Sequence, residues 1–391
     1  GADVGSVANL TVDLDATTDR SGTADVAVNR STISATGNQS VAYTVVNDGS
    51  NTVAAAGTNI AHTGAADQGS TLLTFEVGGP DQFAGSADYV AASLQLGEGA
   101  AVSVAASQIT VDLLSDGGDA VSQGTVLLDG NVTVAETRGN VAANRVTTGD
   151  LEGGSTANVA STSALLNGQV YGGDVSAQAE TAIGLTATGA SGASSADSST
   201  LTATGNQTAA VAVSNTATNT VSVSGTNVTG SGAQAALSSV GNAGGADETF
   251  AASASHVLNS AQQSENITSA TATTTLSADL GKVDGGAAIN ASTLLAGSNL
   301  TVADARGNQA ANVLNLNADA TLSATGGVSN TQYRDGAVTA NAEASVTVGT
   351  AGLNVLNAVN STIGVTGNET ASIARGNSAS NALNVTAGGQ Y

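Results

Sequence analysis

One motif recurs five times along this chain and constrains its fold more than any other feature. The clearest copies read STISATGNQS at 31–40, STLTATGNQT at 199–208 and STIGVTGNET at 361–370, and two more begin at Gly124 and Ser292. Longer and shorter intervals alternate between the starts of successive copies. Repetition of this kind is typical of a structure that is built by stacking similar units.

Three Asn positions recur in every copy at fixed spacing. The first follows Gly or Ser, the second comes nine residues later, and the third comes four residues after that. They are Asn38, Asn47 and Asn51, then Asn131, Asn140 and Asn144, then Asn206, Asn215 and Asn219, then Asn299, Asn308 and Asn312, and finally Asn368, Asn377 and Asn381. Because stacked amides hydrogen-bond to one another, we expect these residues to form structural ladders. The parity of the second and third Asn favours inward placement, and the first fits a corner, where Asn tolerates left-handed backbone.

The spacing of the other motif residues predicts β-strands. Positions two apart lie on one face of a strand, and this spacing holds on both sides of a phase slip between Ala42 and Asn47. The first copy therefore predicts short strands near 32–36, 38–43 and 47–53, with a turn at the Gly-Asn step and a bend or bulge at the slip. Helix is disfavoured because Thr, Val, Asn and Gly are weak helix formers.

We interpret the chain as an all-β, single-chain parallel β-solenoid. The intervals between copies fit about four, three, four and three turns of roughly 23–25 residues, which gives about 16 coils and an elongated rod about 80 Å long. One continuous solenoid would cover 1–391, with internal long repeats at 1–170 and 171–332 and a truncated third at 333–391. Hydrophobic residues make up 41% of the chain but include only three Phe, five Tyr and no Trp or Met, which favours a thin core.

Composition excludes several classes of function. The net charge of −23 disfavours nucleic acid, which needs clustered Lys and Arg. The chain contains no run of about 18 apolar residues, so no membrane span is predicted. The chain has no Cys and only two His, His62 and His256, which we interpret as isolated surface residues rather than catalytic groups or metal ligands. We therefore predict no enzyme activity, no catalytic residues and no cofactor.

Acidic residues leave one weak alternative. Asp13 and Asp15 alternate along a predicted strand, and Asp112, Asp116 and Asp119 lie close in sequence. Solenoid enzymes that act on polysaccharides use paired carboxylates, but they also need aromatic and basic residues that are scarce here. The Asp-Gly-Gly sequences at Asp116 and Asp284 would bind calcium weakly or would simply be turns.

Three arginines occupy one motif position and are candidate partner contacts: Arg138, Arg306 and Arg375. Glu136 and Asp304 lie two residues before the first two, so local ion pairs are expected there on a solvated edge. The alternative role of these arginines is contact with an anionic polysaccharide. Because the last copy stops near Tyr391, we also expect an uncapped end that binds a partner strand.

The stretches RGNVAAN (138–144), RGNQAAN (306–312) and RGNSASN (375–381) resemble the repeats of curli-type secreted fibre subunits. Curli repeats are shorter, richer in Gln and more aromatic, so the likeness covers only part of each predicted coil. Size, acidity and the Ala, Thr, Asn and Val content are similar to the holdfast-anchor D family of stalked alphaproteobacteria. That likeness implies an outer-membrane-associated anchor that works with a small curli-like partner and a secretion channel to hold adhesive polysaccharide.

These observations favour an extracellular structural or adhesive protein at the bacterial cell surface. The chain begins at Gly1, which we interpret as a mature secreted chain after removal of a signal peptide. We expect further subunits to join by end-to-end strand addition. A phage tail-fibre or tailspike host-binding module is the main alternative and predicts a trimer. An ice-binding solenoid would need a regular Thr array, of which only TATTT (271–275) gives a hint.

Overall fold

The fold is described from a computed structural model. It describes residues 2–18, 26–61, 69–76, 80–149, 158–230, 235–243, 246–281, 288–349 and 357–388, with side chains described outside 69–86, 235–253 and 281. These residues form strands, turns and bends, and none of them is helical. The dominance of strands follows from a sequence of alternating small, β-branched and amide residues.

The described strands repeat in five successive sets along the chain, and each set is called a layer. The first layer contains β1 (Val4–Thr18), β2 (Val28–Asn29), β3 (Thr32–Ser34), β4 (Gln39–Ala55), β5 (Asn59–Ala61), β6 (Gly69–Glu76), β7 (Pro80–Ala87) and β8 (Tyr89–Gly97). The second contains β9 (Ala101–Ser115), β10 (Val121–Ser122), β11 (Thr125–Leu127), β12 (Val132–Gly149), β13 (Asn158–Ala160) and β14 (Ser163–Tyr171).

The remaining three layers repeat this order. The third contains β15 (Val175–Thr188), β16 (Ala196–Asp197), β17 (Thr200–Thr204), β18 (Gln207–Thr229), β19 (Ala235–Ala243), β20 (Ala246–Ala254) and β21 (His256–Ser264). The fourth contains β22 (Thr268–Gly281), β23 (Ile289–Asn290), β24 (Thr293–Gly297), β25 (Leu300–Leu322) and β26 (Gly326–Arg334). The fifth contains β27 (Val338–Gly349), β28 (Ala358–Val359), β29 (Thr362–Thr366) and β30 (Glu369–Ala387).

Equivalent strands of successive layers pair in parallel and form the faces of the stack. Sheet I has the order β1-β9-β15-β22-β27, and sheet III has β8-β14-β21-β26. Sheet II has the main order β4-β12-β18-β25-β30, and β13 extends it by pairing with β18 and with β5. Two narrow five-stranded sheets, β2-β10-β16-β23-β28 and β3-β11-β17-β24-β29, join sheets I and II. The arrangement is all-β and is consistent with a parallel β-solenoid.

The predicted short coil, of roughly 23–25 residues, is wrong for the described strands. Sheet II pairs Asn47 with Asn140 and Asn140 with Asn215, so one layer is as long as the interval between motif copies. Intervals near 23 residues do bring side chains together, as Asn144 Nδ2 donates to Asn167 Oδ1 at 3.0 Å, but this contact crosses the core from sheet II to sheet III. The less regular sequence between copies forms the other faces of the same layer, rather than further turns.

The corrected layer length also corrects the shape. The main path of sheet II has five strands, so β4 and β30 lie roughly 20 Å apart along the stack at the usual strand spacing. The individual strands of this sheet reach 23 residues, as in β25. The described molecule is therefore short along the stack and wide across it. The expectation of about 16 coils in a rod about 80 Å long is not met.

Layers of two lengths alternate because two of them carry an inserted hairpin. The first layer contains β6–β7 and the third contains β19–β20, and β7 pairs antiparallel with β19 across the intervening second layer. The second and fourth layers have no such hairpin among their described residues. This two-layer period accounts for the alternation of longer and shorter intervals between motif copies. The predicted long repeats 1–170, 171–332 and 333–391 each begin within five residues of a layer start, at Val4, Val175 and Val338.

The predicted turns are present, but the motif forms two strands rather than three. In the first copy, β3 and β4 flank the turn, and β4 continues through the phase slip as a single strand. The register of its pairing with β12 skips Val46 and Gly139. At this point the inward-facing side chains switch to the other set of alternate residues, although the strand continues. Before the first Asn, Gly37, Gly130, Gly205 and Gly367 have φ of 66–68°, and Ser298 has 55°. The left-handed corner therefore repeats in every layer.

The core is divided along the phase slip. Before the slip, sheet II faces sheet I across a cluster built mainly of Ala, including Ala105, Ala135 and Ala210. After the slip, sheet II faces sheet III across larger residues such as Val146, Leu165 and Leu314. A third cluster, around Ile109 and Leu201, lies between sheet I and the narrow sheets. The expectation that small side chains fill a thin core holds where Ala dominates.

Candidate functional site

The second and third Asn of each motif form two unbroken inward ladders, as predicted. From Asn47 to Asn377, each Nδ2 donates to the Oδ1 of the next layer, with distances of 2.7, 2.8, 2.7 and 3.0 Å. From Asn51 to Asn381, the same bonds measure 3.1, 2.9, 2.9 and 2.9 Å. The side chains of the three middle layers are almost fully buried. Each ladder satisfies amides that would otherwise be buried without partners.

The first Asn of each motif both lies at a corner and forms a ladder, so it combines the two roles that the sequence suggested for it. It lies at the corner after the left-handed residue, yet its side chain also forms a ladder, with Nδ2 to Oδ1 distances of 2.9, 2.9, 2.9 and 2.8 Å. The same Oδ1 atoms accept the backbone N–H of the preceding layer, for example Asn131 N–H to Asn206 Oδ1 at 3.0 Å. Corner geometry and ladder bonding are therefore compatible in one residue.

A Gln ladder in sheet III was not predicted. Gln95, Gln169, Gln262 and Gln332 stack in one row, and each Nε2 after the first donates to the Gln of the preceding layer at 2.6–2.7 Å. All four Nε2 atoms also donate to a carbonyl of sheet II in the next layer, at 2.6–3.0 Å. The sequence signal for this ladder was a Ser or Asn two residues before each Gln, a pair that recurs at the layer spacing. It is weak because the rest of each strand varies.

A chain of Thr hydroxyls also crosses the core. It runs from Thr301 through Thr274, Thr208 and Thr181 to Thr133, with oxygen–oxygen distances of 2.7–2.8 Å. Its members alternate between sheets I and II, and all five are buried. The motif contained the three members from sheet II. The two from sheet I lie outside the motif and could be placed only once the sheets were known to face each other.

The motif position that Arg138, Arg306 and Arg375 share lies on the outward side of sheet II. Its row reads Val45, Arg138, Val213, Arg306 and Arg375. The predicted ion pairs are confirmed, because Arg138 Nε lies 2.5 Å from Glu136 Oε1 and Arg306 Nε lies 2.8 Å from Asp304 Oδ1. The hydrogen bond to Asp304 raises the pKa of Arg306 above its usual value. A polysaccharide contact by these residues stays a prediction, and Tyr391 lies outside the described residues.

His256 is buried rather than exposed, so the expectation of a surface residue is wrong for it. Its Nδ1 lies 2.8 Å from Ser163 Oγ, its Nε2 has no hydrogen-bond partner, and both residues are fully buried. Burial lowers the pKa of His256 to about 4, against a smaller opposite effect of Asp88. Full burial leaves no access for a substrate to this Ser–His contact. His62 lies outside the described residues.

The alternating pair Asp13 and Asp15 groups at the surface with Asp112, a combination that was not predicted from the sequence. The carboxylate oxygens of Asp13, Asp15 and Asp112 lie within 4.8 Å of one another, and all three side chains are exposed. Such a group has the oxygen ligands that calcium uses, although exposed acidic groups are equally ordinary on a solvated face. Asp116 lies in a bend, and Asp284 is outside the described residues. Among the residues described, no helix is long and apolar enough to cross a membrane.

The fifth layer is uncovered, unlike the four before it. Val359, Ile363, Val365, Leu383 and Val385 are 38–57% exposed, although the residues below most of them are buried. For example, Leu383 stacks on Leu314, which is fully buried. The first layer is better covered, because its inward Ser40, Ala42 and Thr44 are 2–3% exposed. The two ends of the stack therefore differ in degree, since the last layer exposes five aliphatic side chains, most of them from inward rows, whereas in the described first layer Val4, from the row of buried Ala101, is 39% exposed.

Comparison of the chain with protein-family models, with curated proteins and with solved structures gave no match. The likeness to curli-type subunits and to holdfast anchors therefore depends on the quoted motifs and the composition alone.

Proposed function

We propose that this protein is an extracellular structural or adhesive component of the bacterial cell surface, a subunit of a curli-like fibre or of a holdfast-type anchor. The observation that carries the proposal is the continuity of the three Asn ladders through all five layers. A stack held by backbone and amide hydrogen bonds along one axis suits a load-bearing role, because pulling along that axis loads many bonds together.

The ladders also support end-to-end assembly, because their two ends are chemically complementary. All three ladders donate from the first layer toward the last. Among the described residues, Asn38, Asn47 and Asn51 therefore keep an Oδ1 that receives no ladder bond, and the last layer presents the donor ends. A second copy stacked on the fifth layer would continue each ladder and cover the aliphatic side chains that this layer exposes. Such a head-to-tail contact does not close and so generates filaments.

The surface partners follow from this role and remain part of the proposal. We expect an outer-membrane secretion or anchoring apparatus to place the protein outside the cell and an extracellular polysaccharide to be the adhesive material. The negative charge would keep such a particle soluble. Arg375 is the member of the arginine row on the exposed last layer, which makes it the best-placed candidate contact for an anionic polymer.

Sedimentation velocity and negative-stain imaging over a concentration series would test assembly. We expect filaments that lengthen along the stack axis with concentration. Ile363→Asp should shorten them at least tenfold, whereas Leu114→Asp, at an exposed residue on the outward side of the second layer, should not. A concentration-independent monomer would contradict end-to-end assembly, and a side-by-side trimer would favour the tailspike alternative.

Antibody labelling of the producing cells would test the location and role separately. We expect labelling of intact cells without permeabilisation and reduced surface attachment after deletion of the protein. Labelling that requires permeabilised cells would contradict a surface role, whatever the assembly state.

A further inference from the structure

In the half of sheet II that precedes the phase slip, the outward side is more aliphatic than the inward side. One outward row reads Val41, Val134, Ala209, Val302 and Ala371. The residues that follow the first four face inward and are buried alanines: Ala42, Ala135, Ala210 and Ala303. This reverses the usual pattern of a sheet with one side in water. We call the outward surface of residues 39–45, 132–138, 207–213, 300–306 and 369–375 the valine face.

The valine face is exposed, and no strand covers it in the part of the chain that the structure describes. Val41 and Tyr43 are 55% and 56% exposed, and Val134, Val211 and Val302 are half-buried. Sheets I and III pack against the opposite side of sheet II. Single exposed valines are ordinary, but an aliphatic row that continues through successive layers forms a patch, and such patches mark interaction sites.

The valine face is also electrically balanced, although the chain has a net charge of −23. It carries three acids and three of the chain's eight basic residues: Glu136, Asp304, Glu369, Arg138, Arg306 and Arg375. The outward side of sheet I carries six acids and no base: Asp13, Asp15, Asp112, Glu180, Asp279 and Glu343. A second copy of the chain can therefore approach the valine face without the repulsion that it meets at sheet I.

Charged and apolar pairs alternate from layer to layer on this face. They occupy two adjacent rows, an acid row and the arginine row. The second and fourth layers have ion pairs there, Glu136 with Arg138 and Asp304 with Arg306. The first and third layers have apolar pairs at the same positions, Tyr43 with Val45 and Val211 with Val213. The fifth layer has Ile373 and Arg375, so it lacks the acid.

A two-fold axis parallel to the stack, placed between these two rows, makes the valine face complementary to itself. Rotation about this axis reverses the strand direction and keeps the layer order, so the acid row lies opposite the arginine row of the second copy. In the second layer, Glu136 then faces Arg138 of the second copy, and the fourth layer repeats this contact. In the first and third layers, apolar side chains face one another.

An axis along the strands does not give this match. If it passed through the third layer, Glu136 would face Asp304 of the second copy, and Arg138 would face Arg306. If it passed between layers, ion pairs would lie against valines. Because like charges across an interface cost several kcal/mol, the charge pattern selects the axis parallel to the stack.

The area available for such a contact is that of a specific complex. Each copy would overlap from the row of Gln39 to about the row of Ser50, which is about 36 Å along the strands at the usual rise per residue. Five strands give a width of roughly 20 Å. Each copy therefore buries roughly 700 Å², or about 1,400 Å² in total, and specific interfaces bury about 1,200–2,000 Å².

We propose that the valine face binds a second copy of this chain, face to face, about a two-fold axis parallel to the stack. The apolar side chains form the centre of the contact, and the ion pairs of the second and fourth layers set its register. Because the same surface is used by both copies, the contact closes at two. The inference goes beyond end-to-end assembly and does not depend on it, since it uses the side of the stack.

Sedimentation velocity of Ile363→Asp, the variant designed to block end-to-end growth, is the first test. We expect a dimer that does not grow further with concentration. Tyr43→Asp, added to this variant, should weaken dimerisation at least tenfold, whereas Leu114→Asp, at an exposed aliphatic residue on the outward side of sheet I, should not. A monomer throughout the concentration series, or a dimer that Tyr43→Asp leaves unchanged, would overturn the proposal. So would a monomer that binds a polyuronate through Arg138.

A charge exchange tests the axis itself. Arg138→Glu alone should weaken the dimer at least tenfold, because it places Glu opposite Glu136 of the second copy. The double variant Glu136→Arg with Arg138→Glu should dimerise again.

Mixing then separates an intermolecular role of the pair from a structural one. When the double variant is mixed with the unexchanged protein, native mass spectrometry should show fewer mixed dimers than random pairing gives, since like charges then face each other. Random mixing would contradict the two-fold arrangement. Filaments of the wild type and the dimer of Ile363→Asp are separate readouts, so either proposal can fail alone.

Discussion

Gly97 of the first layer lies against the ring of Tyr171 in the second, so closely that a Cβ at residue 97 would be 2.5 Å from both Cδ2 and Cε2. Tyr171 is fully buried, and its Oη donates to the Gly99 carbonyl at 2.7 Å. Burial, with the nearby Asp3 and Asp174, holds the pKa of Tyr171 well above its usual value of 10. The phenol therefore acts as a neutral hydrogen-bond donor whose ring requires Gly above it.

This contact predicts that Gly97→Ala destabilises the protein. The ring has no space to move within a buried site, so we expect a loss of roughly 1–3 kcal/mol, as for other overpacked cores. Gly376→Ala is the matched control, because a Cβ there meets nothing within 4 Å, and it should raise stability by up to about 1 kcal/mol rather than lower it. Urea unfolding of both variants would measure the difference. Equal stability of the two variants would contradict the packing described.

The Asn ladders predict a graded response to deletion of one amide. Asn215→Ala removes the acceptor for Asn140 and the donors to Asn308 and Gln263, all within the buried middle of a ladder. We expect a loss of about 2–4 kcal/mol, because the remaining amides are left buried without partners. Asn47→Ala, in the half-buried first layer, should cost about 1 kcal/mol. Chemical denaturation would compare them, and similar losses at both sites would argue against cooperative ladders.

The burial of His256 predicts a loss of stability on acidification. The unfolded chain binds the proton near pH 6.5 and the folded protein near pH 4, so the unfolded state gains protons first as the pH falls. The contribution of His256 to the free energy of unfolding is complete above pH 6.5 and decreases as the pH falls from 6.5 to 4. Below pH 4, the loss reaches at most about 3 kcal/mol. Unfolding should be measured between pH 7 and pH 4 for the wild type and His256→Gln. The difference between the two slopes isolates His256 from the carboxylates, and identical slopes would contradict the prediction.

A second corner, just before each motif, predicts a stabilising substitution. Arg30, Gln123, Ser198, Ala291 and Asn360 all have φ of 48–51°. This left-handed region costs roughly 1 kcal/mol for a residue with a Cβ. Ala291→Gly should therefore raise stability by about 0.5–1 kcal/mol, whereas Ala311→Gly, at an exposed position in β25, should lower it by a similar amount. Thermal unfolding would show opposite shifts in Tm, and parallel shifts would be evidence against a strained corner.

The sequence predicted the motif's local structure better than its arrangement in space. The positions of Asn38, Asn47 and Asn51 followed from spacing, because the period of two in a strand is imposed by the backbone. The layer length did not follow, because the faces that complete each layer carry no shared motif. Assigning one motif to one layer would have needed the observation that Asn140 bonds directly to Asn47.

Buried positions outside the motif were the hardest to predict. His256 has no equivalent that stacks on it, since its row reads Tyr89, Ser163, His256 and Gly326. A residue that occurs once in a row has no periodic signal, so its burial depends on the neighbouring faces. The Gln ladder of sheet III was missed for a different reason, because its Gln recurs in every strand but the rest of each strand varies.

The length of each layer has a consequence for how the chain folds. Paired residues of neighbouring parallel strands lie between 69 and 99 positions apart in the sequence, as at Asn312 with Asn381 and at Asn59 with Asn158. The β6–β7 and β19–β20 hairpins are local, but pairing between parallel strands must close loops of this size, and the β7–β19 pairing must close a longer one, which slows folding. During synthesis, which starts at the N-terminus, the chain would therefore form no parallel sheet until β9 has been made and can pair with β1. It would then gain structure one whole layer at a time.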